Sequence, residues 1–337
     1  MKFSVGYSVR SSDELMSEII RVKDKISEVY FSFGTTPSGR NDQTRCEGFS
    51  PWEAQAKQID DLNRLHREGL KFNLLFNANC YGEMSQSKSF FKSVGEIVDY
   101  IKEEFSLSSV TTTSPLIARF IKQNFKEIDV RASVNMSVGS VIGMEYLKDY
   151  FDSFYVKREL NRNFHALKEL RRFCDANGKE IYLLANSGCL NDCSLHTFHD
   201  NLVAHESEIA KHDNGYQFTG ICREYLSKNK DGDSILSTTN FIRPEDTDKY
   251  EGLVPSMKLA TRVHERPSRI IRAYIERRSF SGNVLSLLEP NHSNLLYPYV
   301  VENSRIASRL DEEKLIYSNE KNAFLKLEET YAYQQND

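Results

Sequence analysis

Short runs of β-branched and aromatic residues alternate with amphipathic segments of helical length along most of the chain. The first run covers residues 2–7, and Leu15, Ile19 and Ile26 recur at helical spacing directly after it. This order recurs up to a last strand-like run, after which Pro267 opens a helix. The predicted strands are residues 2–7, 29–34, 72–77, 109–113, 129–134, 153–156, 180–185 and 257–260. These strand-then-helix units predict a parallel sheet closed into a (β/α)8 TIM-like barrel, and an open, doubly wound sheet is the alternative.

A long interval between the seventh and eighth predicted strands interrupts this order. Residues 187–255, called the excursion below, are rich in Asn, Asp, Ser, Lys and His. They leave from the C-terminal end of a strand, where barrel enzymes keep their chemistry, and so long a connection is more often functional than idle. We expect a barrel-like domain over residues 1–288 that includes the excursion. We expect residues 289–337 to form a C-terminal tail that packs on the barrel or extends from it.

Composition and charge narrow the class of protein. The chain has 337 residues, a formal net charge of −4 and a mean hydropathy of −0.53. These values indicate a globular protein, and they argue against a dedicated nucleic-acid binder, which usually carries a basic excess. The apolar runs are far shorter than the roughly 20 residues that a bilayer requires, and residues 1–6 lack a signal-peptide core. The sequence therefore predicts a cytoplasmic protein with no membrane partner.

Four cysteines occupy positions from which they can meet at one end of the predicted barrel. Cys80 follows the third strand, Cys189 and Cys193 follow the seventh, and Cys222 lies in the excursion. Thiolates that converge in a reducing compartment suit an iron–sulfur cluster or a structural zinc ion. The spacing alone leaves open that they are incidental, because a lone C-x3-C is not a standard zinc motif.

The two remaining cysteines have different surroundings. Cys174 lies one turn after Leu170 in an amphipathic helix, which predicts a small buried side chain. Cys46 lies in a polar loop, and it is the alternative to Cys80 as a fourth ligand.

Histidines follow the cysteine pair within the excursion. His199 and His205 are candidate proton donors or neighbours of a metal cluster, because imidazole titrates near neutral pH. The alternative is a polar surface helix in which the histidines are incidental.

Arginines form a second group of candidates. Arg243 precedes a short predicted helix whose acidic residues are explained by capping, whereas the arginine itself has no such explanation. Arg262, Arg266 and Arg269 follow the eighth strand, and the last loops of (β/α)8 barrels commonly bind phosphate or carboxylate. A solvated helix face is the alternative.

The chain contains no nucleotide-binding glycine loop, no G-x-S-x-G and no H-E-x-x-H motif.

Several blocks of sequence, in this order, resemble the U32 peptidase family, whose members are often labelled collagenase-like peptidases. The blocks are FNLLFNANC, NSGCLNDC, FHDNLVAHE, the later Cys222, SILSTTNFIRPED and MKLATR. The similarity runs from about residue 34 to residue 282 and does not cover the tail. Asn240-Phe241 and Ser194 depart from the usual pattern, which often has tryptophan and proline at these places.

The resemblance implies a (β/α)8-type core and, in the better understood branches, a [4Fe–4S] cluster bound by cysteines. Those branches are similar to oxygen-independent hydroxylases that modify tRNA, ribosomal RNA or a ubiquinone precursor, with prephenate as the suggested oxygen source. The positions that match the cysteines, the H-x-N-x-x-x-H stretch and the arginines of the subgroup are Cys80, Cys189, Cys193, Cys222, His199, Asn201, His205, Arg243 and Arg262.

Taken together, residues and resemblance predict an iron–sulfur enzyme, an oxygen-independent hydroxylase acting on a small anionic molecule, a peptide or RNA. A U32-type peptidase and a non-catalytic subunit that holds a cluster, in a homo- or heterodimer, are the alternatives. Zinc is the alternative cofactor. The expected catalytic residues are His199, His205, Arg243 and Arg262, and the expected substrate contacts are Asn201, Arg266 and Arg269.

Overall fold

The computed structural model describes residues 1–34, 36–39, 48–209, 211–212, 218, 220–276 and 280–328. Parallel strands within these ranges close into a barrel. They are β1 (Lys2–Gly6), β2 (Ile26–Phe31), β3 (Phe72–Phe76), β4 (Leu107–Thr112), β5 (Asp129–Ala132), β6 (Ser153–Tyr155), β7 (Glu180–Leu184) and β8 (Ser256–Leu259). Strand β1 pairs with β2 on one side and with β8 on the other, where Phe3 lies beside Met257. The predicted (β/α)8 architecture is confirmed.

Helices connect the strands on the outside of the barrel. Those between consecutive strands are α1 (Ser12–Arg21), α2 (Pro51–Arg67), α3 (Lys88–Glu104), α4 (Pro115–Asn124), α5 (Val141–Glu145) and α6 (Phe164–Asn177). The excursion contains α7 (His196–Ala204), α8 (Glu206–Ile209), α9 (Ile221–Lys228) and α10 (Gly232–Thr238), and α11 (Pro267–Glu276) follows β8. Helix α5 begins after Ser140, whose side chain caps its first turn by accepting from Gly143 N–H.

The two faces of each strand explain the hydrophobic pattern. Outward-facing residues such as Val5 and Phe31 join one large core with helix residues such as Leu15 and Leu62. Each of these side chains is fully buried. Burial of this apolar interface is the main favourable term that holds the helices on the barrel.

The barrel interior is polar, which the sequence pattern did not reveal. The Glu28 carboxylate accepts hydrogen bonds from Ser4, Asn73, Ser109 and the Arg131 guanidinium, at 2.7–3.1 Å. These partners lie on different strands, so their side chains meet only inside the closed barrel. A buried carboxylate is tolerated there because a cation and several donors compensate it.

The excursion ends by running down the outside of the barrel. Ile242 N–H donates to the carbonyl oxygen of Ala185 at the end of β7, and Tyr250 Oη donates to Asn161 O. A 3₁₀ helix at Pro244–Tyr250 occupies this stretch, as the sequence predicted.

The tail carries secondary structure that the sequence pattern did not predict. It contains α12 (Ser293–Leu296) and two antiparallel pairs, β9 (Tyr299–Val301) with β12 (Phe324–Lys326) and β10 (Ala307–Asp311) with β11 (Lys314–Ser318). Leu315 N–H donates to Arg162 O, and Tyr317 is buried against Phe241, so this segment packs on the outer wall.

Candidate active site

A chain of hydrogen bonds crosses the C-terminal mouth of the barrel and links two buried arginines. Arg262, just after β8, donates to Ser38 Oγ at 3.1 Å, and Ser38 donates to Asn77 Oδ1 at 3.2 Å. The Asn135 amide donates to Asn77 O at 3.4 Å, and Arg158, just after β6, donates to Asn135 Oδ1 at 2.9 Å. We call this series the mouth network. Two guanidinium groups at the end of a barrel where enzymes bind substrates form a candidate anion site.

Two glycines let the backbone approach this network closely. A Cβ on Gly39 would lie 2.8 Å from Asn135 Nδ2, and a Cβ on Gly6 would lie 2.6 Å from Arg262 Cγ. Both distances are shorter than real Cβ contacts, so any larger residue would displace a member of the mouth network.

Below the arginines, the barrel contains a buried lysine among aromatic rings. Lys258 of β8 places its ammonium group 3.9 Å from the centre of the Tyr30 ring and 5.0 Å from that of Tyr155. Val134, Leu184 and Ala260 join Tyr155 and Tyr182 in an apolar cluster inside the barrel. Lys258 lies next to this apolar cluster, below the two arginines. Such a combination of cations and apolar side chains suits a ligand that has an anionic group and an apolar part.

The start of α7 extends the polar cluster toward the excursion. Arg158 Nη1 lies 2.6 Å from His196 Nε2, and His196 Nε2 lies 3.6 Å from the Asp200 carboxylate. The Asn79 amide donates to the same carboxylate at 3.3 Å. The excursion therefore folds over the mouth of the barrel.

The cysteines of the excursion are electrostatically coupled. Burial raises the pKa of the Cys222 thiol, and the nearby thiols of Cys189 and Cys193 raise it further. All three are half-buried and free of disulfides. The excursion thus carries three of the four predicted ligands as half-buried thiols.

The convergence of four thiols on one metal-binding point stays a prediction. Across the ranges that the structure describes, no three His, Cys, Asp or Glu side chains form a group that could hold a metal ion. Cys46, the alternative fourth ligand, lies outside the described residues. Cys174 is fully buried, as predicted.

Cys80 has a histidine partner instead. A hydrogen bond with His205 lowers the pKa of the Cys80 thiol, and Gly82 N–H, 3.4 Å from Sγ, lowers it further. The same contact raises the pKa of His205 against the effect of burial, and Glu208, 3.2 Å from Nδ1, adds to the increase. A thiol, an imidazole and a carboxylate are therefore aligned at the edge of the mouth.

Helix α7 also carries two further predicted site residues, His199 and Asn201. His199 is exposed, and its ring packs against Phe218 with the centroids 5.2 Å apart. Asn201 is half-buried on the same helix, and its carbonyl oxygen accepts from His205 N–H.

Arg243 is not in the mouth, contrary to the sequence-based expectation. Its guanidinium donates to Asp246 and to the carbonyl oxygens of Asn303 and Ile306, and it lies over the Tyr317 ring. Arg243 thereby links the last part of the excursion to the C-terminal tail on the outside of the barrel. The neighbouring Ile242 is held by its N–H to Ala185 O, directly after β7, and the chain then continues into the 3₁₀ helix Pro244–Tyr250.

Arg266 and Arg269 are exposed at the start of α11, where Arg269 lies 5.4 Å from the centre of the Phe280 ring. Of the predicted arginines, Arg262 alone belongs to the mouth network. Sequence reasoning missed Arg158, Lys258 and the linking residues. The available signal was polar residues at inward positions of β8 and directly after β3, β5 and β6.

Comparison with known proteins finds a similarity in sequence and a similarity in fold. The chain is 26% identical over 243 residues to the uncharacterized protease MJ1657 of Methanocaldococcus jannaschii, an alignment covering 71% of this chain and 69% of that protein. The structure of the U32 peptidase Mk0906 superposes with a TM-score of 0.54 at 13% identity, covering 77% of this chain and 91% of that one. The chain is thus similar in sequence to an uncharacterized protease and in fold to a U32 peptidase. No protein-family model matches the sequence.

The likeness to the solved U32 peptidase concerns the fold, because identity at that level does not carry a mechanism. Among the helices in the described ranges, none has both the length and the apolar character needed to cross a membrane.

Proposed function

We propose that this U32-related chain is an iron–sulfur enzyme that acts on a small anionic substrate bound at the mouth of its barrel. The observation that carries the proposal is the 2.6 Å contact of His196, three residues after Cys193, with the buried Arg158, which brings the cysteine-bearing excursion over the mouth of the barrel. A thiol group and a cationic pocket at one end of a barrel support an enzyme that combines a cluster with an anionic substrate.

The donor set fits such a cluster in its chemistry, because thiolates are the ligands that iron–sulfur clusters select. The described residues contain no preformed group of three metal ligands, and metal binding commonly completes its own site as the chain folds around it. Cys189, Cys193 and Cys222 would hold the cluster, which supplies electron-transfer chemistry when bound. Arg262 would orient the anionic substrate. His196, which contacts Arg158, would lie next to that substrate. The reaction that we propose is the oxygen-independent hydroxylation that the resemblance implies.

Anaerobic purification, reconstitution with ferrous iron and sulfide, and measurement of iron content and Mössbauer spectra test this proposal. We expect a brown protein whose iron is lost in Cys189→Ser, Cys193→Ser and Cys222→Ser. Cys174→Ala is the matched control, because this thiol is buried between α6 and the barrel and should leave the iron content unchanged. A colourless wild-type protein, or one that binds zinc alone, would contradict the proposal.

A second function is favoured by the alignment of Cys80, His205 and Glu208. A thiolate next to an imidazole that is oriented by a carboxylate is the arrangement of a thiol peptidase. The names of the two similar proteins, a protease and a U32 peptidase, agree with this alternative.

A peptide library read by mass spectrometry separates the two functions. If the chain is a thiol peptidase, cleavage requires Cys80 and His205 but survives Cys189→Ser. If it is the proposed iron–sulfur enzyme, the metal-replete protein produces no fragments, and Cys189→Ser removes its iron.

A further inference from the structure

We propose that Arg158 is the second anion-binding residue of the mouth and that it holds an oxygen of the same anionic group, carboxylate or phosphate, as Arg262. The inference deepens the proposed function and rests on it, because the ligand is taken to be part of the substrate. It gives Arg158 the role that the sequence suggested for Arg243.

The first argument is a hydrogen-bond donor of Arg158 that has no acceptor among the described residues. Arg158 is 7% exposed, and its Nη1 and Nη2 groups contact His196 and Asn135. Its Nε–H is buried and has no hydrogen-bond partner within the described residues. Because buried polar groups are nearly always hydrogen-bonded, an orphan guanidinium N–H at the mouth of a barrel indicates a ligand oxygen.

A comparison with Arg162 supports this interpretation. Arg162 is equally buried and also has a nitrogen without a partner, but it lies 4.0 Å from the centre of the Tyr317 ring. Its other groups donate to carbonyl oxygens of the outer wall. For Arg162 an aromatic face takes the place of the missing acceptor, whereas the described residues place no ring face over Arg158.

The second argument is the connection to Arg262. The residues of the mouth network that join the two arginines are Ser38, Asn77 and Asn135, and none of them carries a charge. They fix the positions of both guanidinium groups. Asp200 lies beyond His196, at 3.6 Å from its Nε2, and also accepts from Asn79. Two pre-positioned guanidinium groups favour bidentate recognition of an oxyanion.

The test is titration of the full-length chain, prepared without metal, with sodium acetate and with inorganic phosphate, followed by calorimetry. We expect wild type to bind one of these probes, which also identifies the group as carboxylate or phosphate. Arg158→Gln and Arg262→Gln should each weaken binding at least about tenfold, because a charge-assisted hydrogen bond is lost. Arg119→Gln, which removes an exposed arginine from α4, is the control and should bind like wild type.

Wild type that binds neither probe, or Arg158→Gln that is folded and binds like wild type, would overturn the proposal. Should Arg158→Gln not fold, Arg158→Lys decides, because it keeps the charge and loses the Nε–H donor. We expect it to bind more weakly than wild type, and unchanged affinity would reject the assignment.

Failure of this inference is distinguishable from failure of the proposed function. If wild type never holds iron but its anion binding depends on Arg158, the cluster proposal fails and this one stands. If iron binds but anion affinity is independent of Arg158, the cluster proposal stands and the assignment of Arg158 fails.

Discussion

Arg243 donates from Nε to the Asp246 carboxylate at 2.9 Å on the outer wall of the barrel, away from the mouth network. Two carbonyl oxygens of the tail accept from the same guanidinium. An arginine placed in this way stabilises the junction between the excursion and the tail.

We therefore expect Arg243→Ala to lower the free energy of unfolding by about 3 kcal/mol, because the hydrogen bonds to Asn303 and Ile306 are lost and the buried Asp246 carboxylate keeps only Lys249 as a cationic partner. Chemical denaturation measures this loss, and anion titration should give wild-type affinity. Arg119→Ala, at an exposed position, serves as the control. A stable Arg243→Ala protein that no longer binds acetate or phosphate would return this residue to the site.

The Glu28–Arg131 pair inside the barrel gives a second prediction. Arg131→Met should destabilise the fold by about 3 kcal/mol or more, because the Glu28 carboxylate would remain buried with neutral donors only. Arg21→Met removes an ion pair to Glu18 in which Arg21 is half exposed, and it should cost less than about 1 kcal/mol. Equal losses in the two variants, measured by urea denaturation, would show that burial of the pair is unimportant.

Gly6 is expected to control the position of Arg262. In Gly6→Ala the new Cβ would lie 2.6 Å from Arg262 Cγ and 2.7 Å from the Tyr30 ring, so the arginine must move. We expect weaker anion binding by several-fold, measured by calorimetry, together with a lower melting temperature. Gly178→Ala at the end of α6, which has open space but a left-handed backbone, controls for the loss of stability alone and should retain anion affinity.

The Cys80–His205 contact predicts a pH dependence. The contact lowers the pKa of Cys80 and raises that of His205, so each group favours the charged form of the other. Alkylation of Cys80 by iodoacetamide in metal-free protein should therefore reach half its maximal rate at a lower pH than for an ordinary thiol. His205→Gln should move that midpoint upward, and peptide mapping identifies the modified cysteine.

The matched control is His199→Gln, since this ring is exposed against Phe218. It should leave the alkylation profile of Cys80 unchanged. A midpoint that does not respond to His205→Gln would show that the two side chains do not interact in solution.

The pattern of the sequence was sufficient for the fold. Residue alternation in the strands and helical spacing in segments such as Leu15–Ile19 are local properties, and they identify which face of each element is apolar. Once eight such units follow one another, closure into a barrel is the arrangement that buries every apolar face. The Ser114–Pro115 helix start was equally local, and Ser114 does cap α4 by accepting from Ile117 N–H.

The chain by itself thus determined the barrel, the excursion over its C-terminal end and the set of residue types available there. The tertiary structure decided which of these residues meet. Arg158 contacts Asn135 in the mouth network, whereas Arg243 contacts Asn303 of the tail, and neither pairing is local in sequence. Cys80 contacts His205 across more than a hundred residues of sequence. Such pairings depend on strand register and loop paths, which arise from long-range closure of the barrel and leave no periodic signal in the sequence.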